Sequence, residues 1–167
     1  MALTSCRFAG NIASNVGGGL FVAGGNDGMN ITSCHFSENV ALLGGAGGYI
    51  LGPNYNIALT SCNFIQNWSP SIMKSEGGGL YVNGENDHMT ISFCSFTANI
   101  AHSGAGLTIS RDTAHMTLAS LNFTDNTASL IGGQGGGMLI GSGNVAMILL
   151  SSSFTNNTAV IGGGPRC

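Results

Sequence analysis

Charge is scarce in this chain. Only 7% of its 167 residues are Asp, Glu, Lys or Arg, against roughly 25% in an average soluble domain. Four Lys/Arg and a net charge of −3 provide no basic patch to neutralise phosphates, which argues against nucleic-acid binding. Long apolar runs are missing too: none approaches the ~18 residues that a membrane-crossing helix requires. The opening "MALTSCRFAG" has no basic segment followed by an apolar one, so no signal peptide is visible. No C-x-x-C pair with a histidine partner suggests zinc, and no metal ligands or cofactor are expected. Disorder is excluded in turn, because 43% of the residues are hydrophobic and the net charge is low.

What the chain has in abundance is glycine, 28 residues of it, together with Ser, Thr and Asn, and these recur in a fixed order. Aligned on Met1, units begin at Met1, Met29, Ile57, Met89, Met116 and Met147, with spacings of 28, 28, 32, 27 and 31. Seven places after each start stands a phenylalanine: Phe8, Phe36, Phe64, Phe96, Phe123 and Phe154. Three further on stands an asparagine: Asn11, Asn39, Asn67, Asn99, Asn126 and Asn157. After a variable stretch come "GGGLFV", "AGGYIL", "GGGLYV", "GAGLTI" and "GGGMLI", and the sixth unit stops at "GGG". A period of this size marks stacked supersecondary units.

Helical repeats of that length fit poorly. Each interior glycine costs a helix about 1 kcal/mol relative to alanine, and "MTIS" or "GLYV" bounded by Gly, Asn and Asp has the composition of short strands. The expected fold is therefore all-β: a single parallel β-helix domain over residues 1–167 with about six coils of 27–32 residues. In-register coils lie about 4.8 Å apart, so like residues form columns. The Phe column should fill the core, and the Asn column should satisfy turn backbone and its own neighbours. The glycines should allow positive φ and close approach where the coil bends. Both termini fall within a repeat, so the chain is expected to be a piece of a longer array, with coil ends open to self-stacking.

The motifs FAGN, FSEN, FIQN, FTAN, FTDN and FTNN, each paired with a glycine cluster, resemble the FxxN and GGA[ILV] repeats of chlamydial polymorphic outer-membrane proteins. The glycine motif departs slightly, as GGGL, AGGY, GAGL and GGGM. The resemblance covers essentially the whole chain and implies a right-handed β-helix of an extracellular or cell-surface protein. It implies a stalk, adhesin-like segment or spacer, with surface glycans or host and matrix proteins as partners. Nothing in the chain resembles the outer-membrane barrel that carries such segments.

Candidate chemistry is sparse. Cys6, Cys34, Cys62 and Cys94 share one repeat position, later occupied by Leu121 and Ser152. C-x-F alternation turns these thiols inward, where a column of buried free thiols competes with axial disulfides and, more remotely, a metal site. Cys167 lies outside the column. Glu85, Asp87, His88, Arg111, Asp112 and His115 gather at one corner, just before Met89 and Met116. Paired carboxylates there would suit general acid and base work on sugars, with Asp87, His88, Asp112 and His115 as the catalytic candidates. Charges also collect at solvated turns, and a ligand contact is a third reading. A pectin-lyase-like carbohydrate-active or carbohydrate-binding helix is thus the alternative to a structural segment. N-x-S/T sequons begin at Asn30, Asn67, Asn122 and Asn156. About three such sites are expected by chance in so polar a chain; Asn67 belongs to the Asn column, whereas Asn30 and Asn122 should face outward and could accept a glycan. Trp68 opens the longest loop, "WSPSIMKSE", and either touches a partner or folds back over the coil.

Overall fold

Equivalent residues of successive repeats pair with one another along the whole chain in the computed structural model, which describes residues 1–71, 75–129 and 131–167. Three parallel six-stranded sheets result, each built from one strand per coil. The first sheet runs through Ala2–Thr4, Asn30–Thr32, Ala58–Thr60, Thr90–Ser92, Thr117–Ala119 and Ile148–Leu150. The second comprises Arg7–Ala9, His35–Ser37, Asn63–Ile65, Ser95–Thr97, Asn122–Thr124 and Ser153–Thr155. The third comprises Leu20–Val22, Gly48–Leu51, Leu80–Asn83, Leu107–Ile109, Met138–Ile140 and Pro165–Arg166. No helix occurs among the described residues. The fold is the expected parallel β-helix of about six coils.

Side chains alternate along each short strand, and the inward ones make a single core. Ile31, Leu59, Ile91 and Leu118 enter it from the first sheet, Phe36, Phe64, Phe96 and Phe123 from the second, and Val82 and Ile109 from the third. The six phenylalanines form one stack, with ring centroids 4.6–4.9 Å apart and planes within 2–6° of parallel. That separation equals the strand spacing, so the rings inherit their offset from the backbone pairing.

Beside the stack runs the asparagine column. Between the two terminal coils, each asparagine side chain accepts through Oδ1 from the backbone N–H and Nδ2 of the preceding coil's asparagine. Each donates through Nδ2 to the next Oδ1 and to the phenylalanine carbonyl of the coil before. For Asn67 these four contacts measure 3.1, 3.0, 3.0 and 3.0 Å. Asn39, Asn67, Asn99 and Asn126 are fully buried, and each amide group is saturated, which is what makes such burial tolerable.

The corners are set by columns of left-handed backbone. One holds Ser5, Ser33, Ser61, Phe93, Ser120 and Ser151, at φ of 47–55°. Another holds one aligned glycine from each cluster: Gly17, Gly45, Gly77, Gly104, Gly135 and Gly162. The third glycine of the cluster answers to packing instead. A Cβ on Gly79 would lie 2.5 Å from the Gly106 carbonyl oxygen and 3.1 Å from the Phe96 ring, so the Phe column requires a bare backbone opposite it.

These contacts rank three substitutions. Phe64→Ala, in the centre of the stack, should cost about 3–5 kcal/mol. Asn67→Ala should cost about 1–3 kcal/mol by orphaning its partners. His35→Ala, on the outer face between Cys34 and Phe36, should lie within about 0.5 kcal/mol of neutral. Denaturant melts of the three variants measure the order; damage at His35 equal to that at Phe64 would contradict the facing assignment.

Candidate functional site

The charged corner lies where the coil returns from the third sheet to the first. A short parallel ladder forms there, from Asn26–Asp27, Asn54–Tyr55 and Asn86–Asp87. It continues through single bridges from Asp87 to Ala114 and from Ala114 to Val145. A second asparagine column, unrecognised from the sequence, holds this strip in place. Asn26 donates to Asn54 at 2.9 Å and Asn54 to Asn86 at 2.8 Å, while Asn86 turns back to the Asn83 and Gly84 carbonyls. Thr113 interrupts the column, donating its backbone N–H to Asn144 Oδ1. Its sequence signal is an asparagine three places before the unit start, at Asn26, Asn54, Asn86 and Asn144.

Outside this buried column stand the ionisable groups. His88 and His115 occupy equivalent left-handed positions, at φ of 53° and 51°, and their rings stack with centroids 4.7 Å apart and planes 22° from parallel. Both Nδ1 atoms converge on one oxygen: Asp87 Oδ1 lies 3.0 Å from His88 Nδ1 and 2.9 Å from His115 Nδ1. The same oxygen accepts the His88 backbone N–H at 2.9 Å. The side chains remain accessible, at 60% for His88, 54% for His115 and 33% for Asp87. The His115 hydrogen bond, with a smaller contribution from His88, holds the Asp87 carboxyl below its ordinary range.

Glu85, Asp87 and Asp112 line one shallow groove of about 190 Å³ together with exposed Tyr55. Arg111 and Asp112 border a neighbouring depression with Gly52, Pro53 and Glu85. Of the six ionisable residues singled out in the sequence, Glu85, Asp87, Arg111 and Asp112 thus line two adjoining surface hollows rather than one enclosed pocket, and His88 and His115 join them through Asp87.

The other candidates lie apart from this corner. Cys6, Cys34, Cys62, Cys94 and Cys167 are free thiols, buried at Cys34, Cys62 and Cys94 and exposed at Cys167. Each buried thiol faces a carbonyl two residues back, such as Cys34 to Thr32 at 3.4 Å and Cys94 to Ser92 at 3.2 Å. Burial pushes the Cys34 thiol up, and at Cys94 the contact with Cys62 and burial act in the same direction. Asn30 and Asn122 are exposed, whereas Asn67 is buried in its column. Trp68 sits half-exposed, bridged between Val40 and Ile100; Ile72, Met73 and Lys74 of its loop lie outside the described residues.

An aromatic column on the outer face of the third sheet was also not foreseen. Phe21, Tyr49 and Tyr81 pair in register, with centroids 5.7 and 4.9 Å apart, and Asn83 donates to the Tyr49 hydroxyl at 2.6 Å. The "GLFV", "GYIL" and "GLYV" strings contain the signal, since the residue between two inward positions must point out. No protein-family model matches the chain, and no curated protein matches it significantly.

The carboxyl shift has a definite sign. Because the folded-state pKa of Asp87 is depressed, its contribution to stability is present above the unfolded carboxylate pKa and is lost as pH falls through the folded value. Carboxyl-carbon NMR should show the Asp87 midpoint rising in His115→Ala. An unmoved midpoint would show that His115 does not hold the carboxylate.

Proposed function

We propose that the chain is a non-enzymatic β-helical segment of an extracellular or cell-surface protein, serving as a stalk, adhesin-like segment or spacer. The observation that carries this reading is the economy of the columns. The Phe and Asn residues kept in every repeat are consumed by contacts between coils, leaving the outer faces to vary. A scaffold with a fixed interior and variable faces suits presentation of surface to glycans or to host and matrix proteins. The likeness of FAGN, FSEN, FIQN, FTAN, FTDN and FTNN, with their glycine clusters, to chlamydial-type polymorphic outer-membrane repeats supports the same assignment. Fold likeness alone is weak warrant for activity, so the reading rests on how the residues are used.

A second reading, a carbohydrate-binding or carbohydrate-active helix of pectin-lyase type, is favoured by one feature. The groove beside Tyr55 joins an exposed aromatic ring to Glu85, Asp87 and Asp112, a combination suited to a sugar ring and its hydroxyls. The two readings separate in one experiment. The structural reading expects surface exposure of the segment on intact source cells, by protease shaving or antibody access, and no turnover of acidic or neutral polysaccharides. Saturable turnover abolished by Asp87→Ala or Asp112→Ala, with the fold retained, would replace it by the enzymatic reading.

A further inference from the structure

Asp87 is held more elaborately than its equivalent requires. In the first coil the matching aspartate, Asp27, accepts a single side-chain hydrogen bond, from Asn56 Nδ2 at 2.8 Å. Asn56 occupies the same left-handed column as His88 and His115, and the residue beside Asp27 in that column is Gly28, with no side chain. One neutral donor from the next coil is thus enough to satisfy an aspartate here. At Asp87 two imidazoles converge instead, at 2.9 and 3.0 Å, on an oxygen that already accepts the His88 backbone N–H. Asp87 Oδ2 makes no hydrogen bond among the described residues.

We infer that Asp87, His88 and His115 form a surface site for a divalent transition metal of the zinc, nickel and copper type, clipping two successive coils together. One ligand atom from each of the three residues lies within 4.8 Å of the others. Bonds of about 2.0–2.2 Å from such an ion to nitrogen and oxygen put neighbouring ligand atoms about 3.0 Å apart at right angles and about 3.4 Å apart in a tetrahedron. The observed 2.9 and 3.0 Å Asp–His edges match the right-angled case, and the two imidazole nitrogens, within 4.8 Å of each other, close on the ion by movement of the exposed side chains. Two imidazoles with one carboxylate select these ions over calcium or magnesium, which prefer oxygen alone.

The fold prepares the site. His88 and His115 are equivalent positions of adjacent coils, so backbone pairing sets the separation of their rings, and left-handed φ at both sends the two side chains in the same direction. A neutral imidazole donating Nδ1–H to Asp87 needs only to move that proton to Nε2 to free Nδ1 for the ion. Because the ligands are solvent-exposed, water occupies the remaining coordination positions. The site requires neither the stalk nor the carbohydrate reading, although it shares Asp87 with the groove of the latter: it stabilises the coil pair by binding the folded state.

The test is calorimetric titration of tag-free protein with Ni²⁺ and Zn²⁺, alongside thermal melts with and without the ion. His88→Asn and His115→Asn are the informative variants, since asparagine is native to this column at Asn56 and can keep a hydrogen bond to Asp87. One equivalent should bind, and each variant, like Asp87→Asn, should weaken binding by about 10- to 100-fold or more and abolish the ion-dependent rise in Tm. His35→Asn and Cys167→Ser should change neither, which separates this site from a stray histidine and from the exposed thiol. Absence of saturable binding, or equal binding by His115→Asn and the parent, would overturn the proposal.

Discussion

Every position in this protein must tolerate being stacked on its own equivalent. That constraint comes from in-register parallel pairing, which sets each residue about 4.8 Å from its counterparts in the coils above and below. Phenylalanine meets it because offset parallel rings attract. Asparagine meets it because its amide is both donor and acceptor, so a column of them closes its own hydrogen bonds. The scarcity of charge follows as well, since like charges directly opposite one another destabilise a ladder. Where acids enter a paired column they alternate with neutral groups, as in Asp27–Tyr55–Asp87.

The same rule explains which parts of the architecture were readable beforehand. Phe and Asn recur at fixed offsets in all six units because the column punishes any replacement, so their period is plain in the sequence. The second asparagine column obeys the same physics but is broken by Thr113 and lies in returns already rich in Asn and Asp, where one more asparagine carries little contrast. The left-handed corners were less readable still. Serine fills one such column at five of its six positions and Phe93 the other, whereas local preference alone points to glycine or asparagine. There the hydrogen bonds and packing of the stack override local preference.

The candidate corner was legible as a cluster and illegible as a geometry. Equal offsets placed His88 and His115 in adjacent coils, yet nothing in their spacing foretold that both Nδ1 atoms would meet Asp87 Oδ1. That convergence depends on the left-handed φ at both histidines and on the strip of asparagines behind them. The catalytic and structural readings of the corner use the same residues and differ in what the groove beside Tyr55 accepts. The cysteines illustrate the opposite case: inward-facing and in register, Cys34, Cys62 and Cys94 act as small apolar fillers.

The buried Asn side chains form one continuous hydrogen-bonded column that fixes the register of the coils. The most direct measurement is hydrogen exchange of the side-chain amides, followed by NMR. Nδ2 protons of Asn39, Asn67, Asn99 and Asn126 should be protected like core backbone amides, while those of exposed Asn30 and Asn122 should exchange at once. Equally rapid exchange in both groups would contradict the column, and with it the register on which the fold is built.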